Sequence, residues 1–167
     1  MRGVKVMGVA PDLLPVIRQV FLRMRDNSKS MAAKNPFKTI LIAPCGMNCA
    51  ICSAFLREKN RCGGCYTPNR LCSINCTISG CEKVKDRYRH DCDDFPCRRL
   101  KQLDKRYRTT YGMSMIDNLE AIRKNGIRAF VKMERERWTC TTCGGTIDVH
   151  HGKCADCGKE RERHGKA

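Results

Sequence analysis

Acidic side chains are scarce in this chain: 17 Asp and Glu stand against 33 Lys and Arg. The formal charge of +16 favours polyanionic partners. Aromatics are only 6% of residues, with a single Trp, which excludes a large aromatic core. Long apolar runs are missing as well. Residues 39–56 carry no charge, but Pro44, Gly46, Asn48 and three cysteines interrupt them, so no membrane span is expected. VMGVAPDLLPVIRQVFL, near the amino terminus, is broken by Pro11, Asp12, Pro15 and Arg18. It lacks the apolar core of a secretory signal. A cytoplasmic location, where thiols stay reduced, follows as the expectation.

Catalytic signatures are missing too. The four histidines, His90, His150, His151 and His164, have no evident nucleophile partner. No glycine-rich phosphate loop or paired catalytic carboxylates stand out; Asp93-Asp94 read as a cap before the following helix. The Cys62/Cys65 pair lacks a thioredoxin-like βαβ context. The chain is therefore expected not to be an enzyme, and no catalytic residue is assigned.

Cysteine is what the chain has in excess, with 14 residues. They fall in close pairs: 45/49, 49/52, 62/65, 72/76, 140/143 and 154/157. Metal sites favour such pairs, because one turn aims two thiolates at one ion, whereas disulfides need no sequence clustering. The stretch CTTCGGTIDVHHGKCADCG places Cys140, Cys143, Cys154 and Cys157 as Cys-x2-Cys, ten residues, Cys-x2-Cys. Gly144 and Gly158 follow the second cysteine of each pair and let backbone N–H groups approach sulfur. TIDV alternates like one arm of a hairpin. This pattern predicts a four-cysteine site on a zinc ribbon, with zinc the expected ion and rubredoxin-like iron the alternative. His150 and His151, at the tip, read as solvated loop residues.

Cys49, Cys52, Cys62 and Cys65 repeat the pattern with nine residues between the pairs, which predicts a second four-cysteine site. Cys45, Cys72, Cys76, Cys81, Cys92 and Cys97 remain for a possible third site of unknown grouping, with His90 an optional ligand. Buried free thiols are their plainer reading. Two or three zinc ions are thus expected, with an iron–sulfur cluster as the minority alternative. Three four-thiolate sites would lower the net charge to about +10, still basic. The Cys-x3-Cys-x2-Cys run at 45, 49 and 52 matches radical-SAM spacing. The chain lacks the length and the alternating strands and helices of that barrel.

Four segments organise the chain. Residues 1–36 form an appendage with an amphipathic helix or a tail; Met31 is a candidate alternative start. Residues 37–139 form a cysteine-rich helical module, 140–158 the ribbon and 159–167 a charged tail. Asn48 is expected to cap a short helix through Arg57. A helix over 96–110 places Cys97, Leu100, Leu103 and Tyr107 on one arc. Arg98, Arg99, Lys101, Lys105, Arg106 and Arg108 take the other. A second helix starts at Ser114, answered by Asp117, buries Ile116, Leu119 and Ile122, and stops at Asn125-Gly126. A third runs from Ile127 to about Trp138 with Phe130 and Val131 inward. The fold class is a small metal-stabilised, mainly α module with a carboxyl-terminal β-hairpin zinc ribbon.

APCGMNCAIC (43–52), CGGC (62–65), CDDFPC (92–97) and RYRTTYGMSMIDNLEAIRKNGIRAFV (106–131) together resemble an uncharacterised family of small prokaryotic cysteine-rich proteins. The resemblance runs from about residue 40 into the ribbon. It implies a zinc-binding protein and supplies no catalytic residue. The six cations from Arg98 to Arg108 suit a phosphate backbone, and Tyr107 and Tyr111 suit base stacking if exposed. The expected function is a non-enzymatic structural-zinc protein that binds RNA, DNA or a ribonucleoprotein. The alternatives are a zinc-stapled protein–protein adaptor and an iron–sulfur electron-transfer or sensing protein.

Overall fold

Three consecutive helices make the frame. In the computed structural model, which describes residues 36–68, 71, 76–83 and 88–161, these are α2 (Arg98–Tyr111), α3 (Met115–Asn125) and α4 (Ile127–Trp138). A one-turn helix, α1 (Ser53–Leu56), precedes them, and a hairpin of β1 (Ile147–Asp148) and β2 (Lys153–Cys154) follows. The chain divides into units 1–33 and 34–167; every described residue lies in the second. The helix expected within the amino-terminal appendage, Cys72 and most of the carboxyl-terminal tail lie outside the described residues.

The helical periodicity of the sequence is realised. Leu100 and Tyr107 of α2, Met115, Leu119 and Ile122 of α3, and Phe130, Val131 and Trp138 of α4 are buried together. Ile116 is only half-buried at the margin of this core. Helix α2 ends at Gly112, whose φ of 64° and ψ of 32° are left-handed. Ser114 then caps α3, its Oγ accepting from Asp117 N at 3.0 Å. Gly126 closes α3 and opens α4 in one residue, its N–H donating to Ile122 O at 2.8 Å.

Two helix starts differ from the sequence expectation. The piece after Asn48 is not one helix. Asn48 Oδ1 accepts from Ala50 N and caps a 3-10 turn over Cys49–Ile51; the chain turns extended at Cys52 before α1 begins. The break has a cause: Ile51 O accepts Val149 N of the hairpin at 2.9 Å, so it does not continue a helical ladder. Asp93 and Asp94 do not cap α2 either. The N-cap is Cys97, with no side-chain cap bond, and Asp94 pairs with Lys83 instead. Cys97 itself is extended, with φ of −72° and ψ of 166°, so α2 starts at Arg98.

The segment that carries APCG lies against α3. Asn118 Nδ2 donates to Gly46 O at 2.9 Å. A Cβ on Gly46 would sit 2.6 Å from Met115 O and 2.9 Å from Leu119 Cγ, so only glycine permits this approach. The hairpin packs into the same core through Ile147 and Val149. Among the described residues no helix is long and apolar enough to cross a membrane.

Asp104, the lone acid on α2, is buried and joins α2 to α3. Its Oδ1 accepts from Ser114 Oγ at 2.7 Å and from Ile116 N at 3.1 Å, and Arg108 pairs with its Oδ2. Burial alone would raise its pKa; the hydroxyl, the N–H and Arg108 outweigh burial and hold it below the ordinary carboxylate value. Because the folded value is the lower one, the stabilisation is complete above the unfolded Asp range of about pH 4 and fades as pH falls through the folded value. Asp104→Ala is expected to cost about 2–3 kcal/mol in urea unfolding at pH 7 and to flatten the acid limb of the stability profile.

Candidate metal centre

Each arm of the carboxyl-terminal hairpin carries a Cys-x2-Cys knuckle. In the first, Gly144 N donates to Cys140 O at 2.9 Å and Cys140 N to Gly145 O at 2.8 Å. In the second, Gly158 N donates to Cys154 O at 3.0 Å and Cys154 N to Lys159 O at 2.8 Å. Gly144 and Gly158 have φ of 70° and 73°, the left-handed geometry that glycine adopts without strain. The turn brings Gly145 N to 3.4 Å from Cys143 Sγ, the N–H to sulfur approach that the glycines imply. The antiparallel register, Ile147 with Cys154 and Asp148 with Lys153, sets the two knuckles face to face.

All four sulfurs converge. Cys140 Sγ is 3.7 Å from Cys157 Sγ, Cys143 Sγ is 3.5 Å from Cys154 Sγ, and the four lie within 4.8 Å of one another. A tetrahedron with metal–sulfur bonds of about 2.3 Å has edges of about 3.8 Å. A disulfide would hold sulfurs at about 2.05 Å, so these are free thiols, at a spacing that could hold a metal ion.

The charge balance of the cluster suits a cation. Burial opposes ionisation of Cys140, yet the N–H groups of Cys143 and Thr142 and the adjacent thiols bring it down to about 6. Gly145 N–H pulls Cys143 in the same direction, but burial and the three neighbouring sulfurs push it up to about 12. Burial also raises Cys154. One thiolate forms readily and the next resist it by mutual repulsion; a bound cation lets all four ionise.

The amino-terminal cysteines are arranged differently. Among the described residues, the hairpin quartet is the group of three or more candidate ligands that meets the 4.8 Å spacing; Cys49, Cys52, Cys62 and Cys65 do not close in this way. Cys49, Cys62 and Cys65 are buried, and Cys52 is half-buried. The CGGC knuckle lies beside Cys49, with the Cβ direction of Gly64 pointing 4.0 Å from Cys49 Sγ. Cys62 Sγ accepts from Leu71 N at 3.3 Å. Cys45, Cys76, Cys81, Cys92 and Cys97 are half-buried.

His150 departs most from its expected role. It is not a solvated tip residue: its side chain is 19% exposed and clamps the hairpin to the helical frame. Nδ1 lies 3.3 Å from Ser53 N and 3.2 Å from Ser53 Oγ, and Nε2 lies 3.1 Å from Tyr107 Oη. Asp148, and after it Cys52, raise His150 to about 9. The backbone N–H of Ser53 can only donate, however, and Asp148 Oδ1 at 3.7 Å is beyond hydrogen-bonding range. The direct contact decides for a neutral ring that accepts at Nδ1 and donates from Nε2 to Tyr107. His151, at the tip, is exposed and bonds Asp148 Oδ2 at 2.7 Å.

Glu134 makes a second clamp. It is 2% exposed, accepts from Asn48 Nδ2 at 3.1 Å and from Trp138 Nε1 at 3.2 Å, and burial raises its pKa. Arg161, beyond the second knuckle, lies 4.0 Å over the Trp138 ring. Sequence spacing gave no sign of either clamp, because their partners lie 86 and 97 positions apart.

Comparison of the chain with protein-family models, curated proteins and solved structures returned no match.

Trp138 is the sole tryptophan, is 1% exposed, and stands two residues before Cys140, so its emission reports on the hairpin. Cys140→Ser and Cys154→Ser are each expected to lose one equivalent of bound metal by elemental analysis and to red-shift Trp138 emission. A strong chelator should produce the same shift in the unsubstituted protein. Structural sites of this type have apparent metal-binding energies of about 10–16 kcal/mol.

Proposed function

We propose that this protein is a non-enzymatic, zinc-stapled module that contacts nucleic acid or a ribonucleoprotein through the outer face of α2. Closed four-thiolate sites on glycine-bearing knuckles suit zinc in a structural role, with no open position for a substrate. The family resemblance of the APCGMNCAIC, CGGC and CDDFPC segments is in keeping with this reading.

The observation that carries the nucleic-acid reading is the division of α2 into two faces. Leu100, Asp104 and Tyr107 are buried, while Arg98, Arg99, Lys101, Lys105, Arg106 and Arg108 are all exposed. Two of the six are engaged: Arg99 donates to Thr77 O at 3.2 Å, and Arg108 pairs with Asp104 at 3.1 Å and Asp117 at 3.5 Å. Arg98, Lys101, Lys105 and Arg106 form no ion pair among the described residues. From Arg98 to Arg106 the helix presents them along about 12 Å, a length that spans two or three phosphates. Tyr107 is buried against His150 and so does not stack on bases; Tyr111 is half-buried. Contact is therefore mainly electrostatic and indifferent to sequence.

The test is fluorescence anisotropy with single-stranded RNA and DNA of mixed sequence over a salt series. Lys101→Glu, Lys105→Glu and Arg106→Glu, combined in one variant, should weaken binding by at least tenfold and flatten the log K against log salt slope by about 3. Metal content should not change. Equal affinity in the variant and the unsubstituted protein overturns the reading.

A further inference from the structure

A cavity of about 490 Å³ opens at the start of α2, between that helix and the segment around residues 80–83. We propose that it is a binding site for a tetrahedral oxyanion of the phosphate type. Four cations line it: Lys83, Arg89, Arg98 and Arg99. Of the two acids on its wall, Asp94 is neutralised by Lys83, which leaves Glu82 against three arginines.

Arg89 is the observation that points to a ligand. It is 3% exposed, and its Nη2 donates to Ile78 O at 3.3 Å. Among the described residues its Nε–H is buried with no acceptor, although the Cys81 thiol lies beside the guanidinium as a further partner. A buried guanidinium with an idle donor is costly, and a bidentate oxyanion supplies the acceptor it lacks. The helix adds an independent feature. Its N-cap, Cys97, gives no side-chain cap bond, and its first turn holds no acid. The N–H groups there and the positive end of the helix dipole thus face the cavity without a side-chain anion of their own.

A cation suits this place poorly. Cys81 and Cys97 also line the cavity, but no three candidate ligands among the described residues there come within 4.8 Å of one another. A metal ion would in addition face three arginines.

The inference does not depend on nucleic-acid binding by α2. Free phosphate and the terminal phosphate of an oligonucleotide share the required chemistry, and the experiment separates them. Inorganic phosphate and sulfate are titrated into the metal-loaded full chain and followed by amide resonances, with chloride at matched ionic strength as control. Saturable shifts at Gly80–Lys83 and Arg98–Lys101 that chloride does not reproduce are expected. Arg89→Gln should weaken them at least tenfold. Arg98→Gln, at an exposed position where folding is not at stake, should weaken them several-fold. Competition by a 5′-phosphorylated oligonucleotide, with none by its unphosphorylated twin, makes nucleic acid ends the source; no competition makes it free phosphate. Either result upholds the site. Shifts that fail to saturate, shifts matched by chloride, or a metal equivalent lost on Cys81→Ser overturn it, whatever the fate of the α2 face.

Discussion

Four sulfur atoms drawn within 4.8 Å of one another set the terms for the carboxyl-terminal third of this protein. The two-residue strands between the knuckles are too short to hold a hairpin by themselves. The knuckles, with their glycine turns and N–H to sulfur approach, give the segment its shape. Without a cation, Cys143 and Cys154 resist ionising beside Cys140. The hairpin is therefore best understood as a coordination site with a short sheet attached.

That hairpin is built into the helical frame. Val149 N bonds Ile51 O, His150 reaches Ser53 and Tyr107, and Arg161 covers Trp138. Glu134 joins Trp138 to Asn48, which caps the turn that carries Cys49. The hairpin is thus linked through a buried carboxylate and one tryptophan to the cysteine-rich opening segment. The surface left over is basic. On one side of α2 it forms a cationic face, and at the start of that helix it encloses a cavity around Arg89.

What the sequence revealed follows from the range of each interaction. The hairpin quartet was legible because its ligands, turns and glycines all lie within 19 positions. The faces of α2, α3 and α4 were legible because helical period is local, as were Ser114 and Gly126 as helix boundaries. His150 was misread as solvated because its partners lie at positions 53 and 107. The helix from Asn48 to Arg57 was drawn unbroken because nothing nearby announces that Ile51 O is taken by Val149. Spacing alone also grouped Cys49, Cys52, Cys62 and Cys65, yet their sulfurs do not converge as the hairpin quartet does.

The central claim is that sulfur coordination of a metal ion organises the hairpin. X-ray absorption at the metal edge of freshly purified protein tests it most directly. The account predicts a tetrahedral first shell of four sulfurs at about 2.3 Å, reduced by substitution of Cys140, Cys143, Cys154 or Cys157. A folded protein with no bound metal, or a first shell built from nitrogen and oxygen, would contradict it.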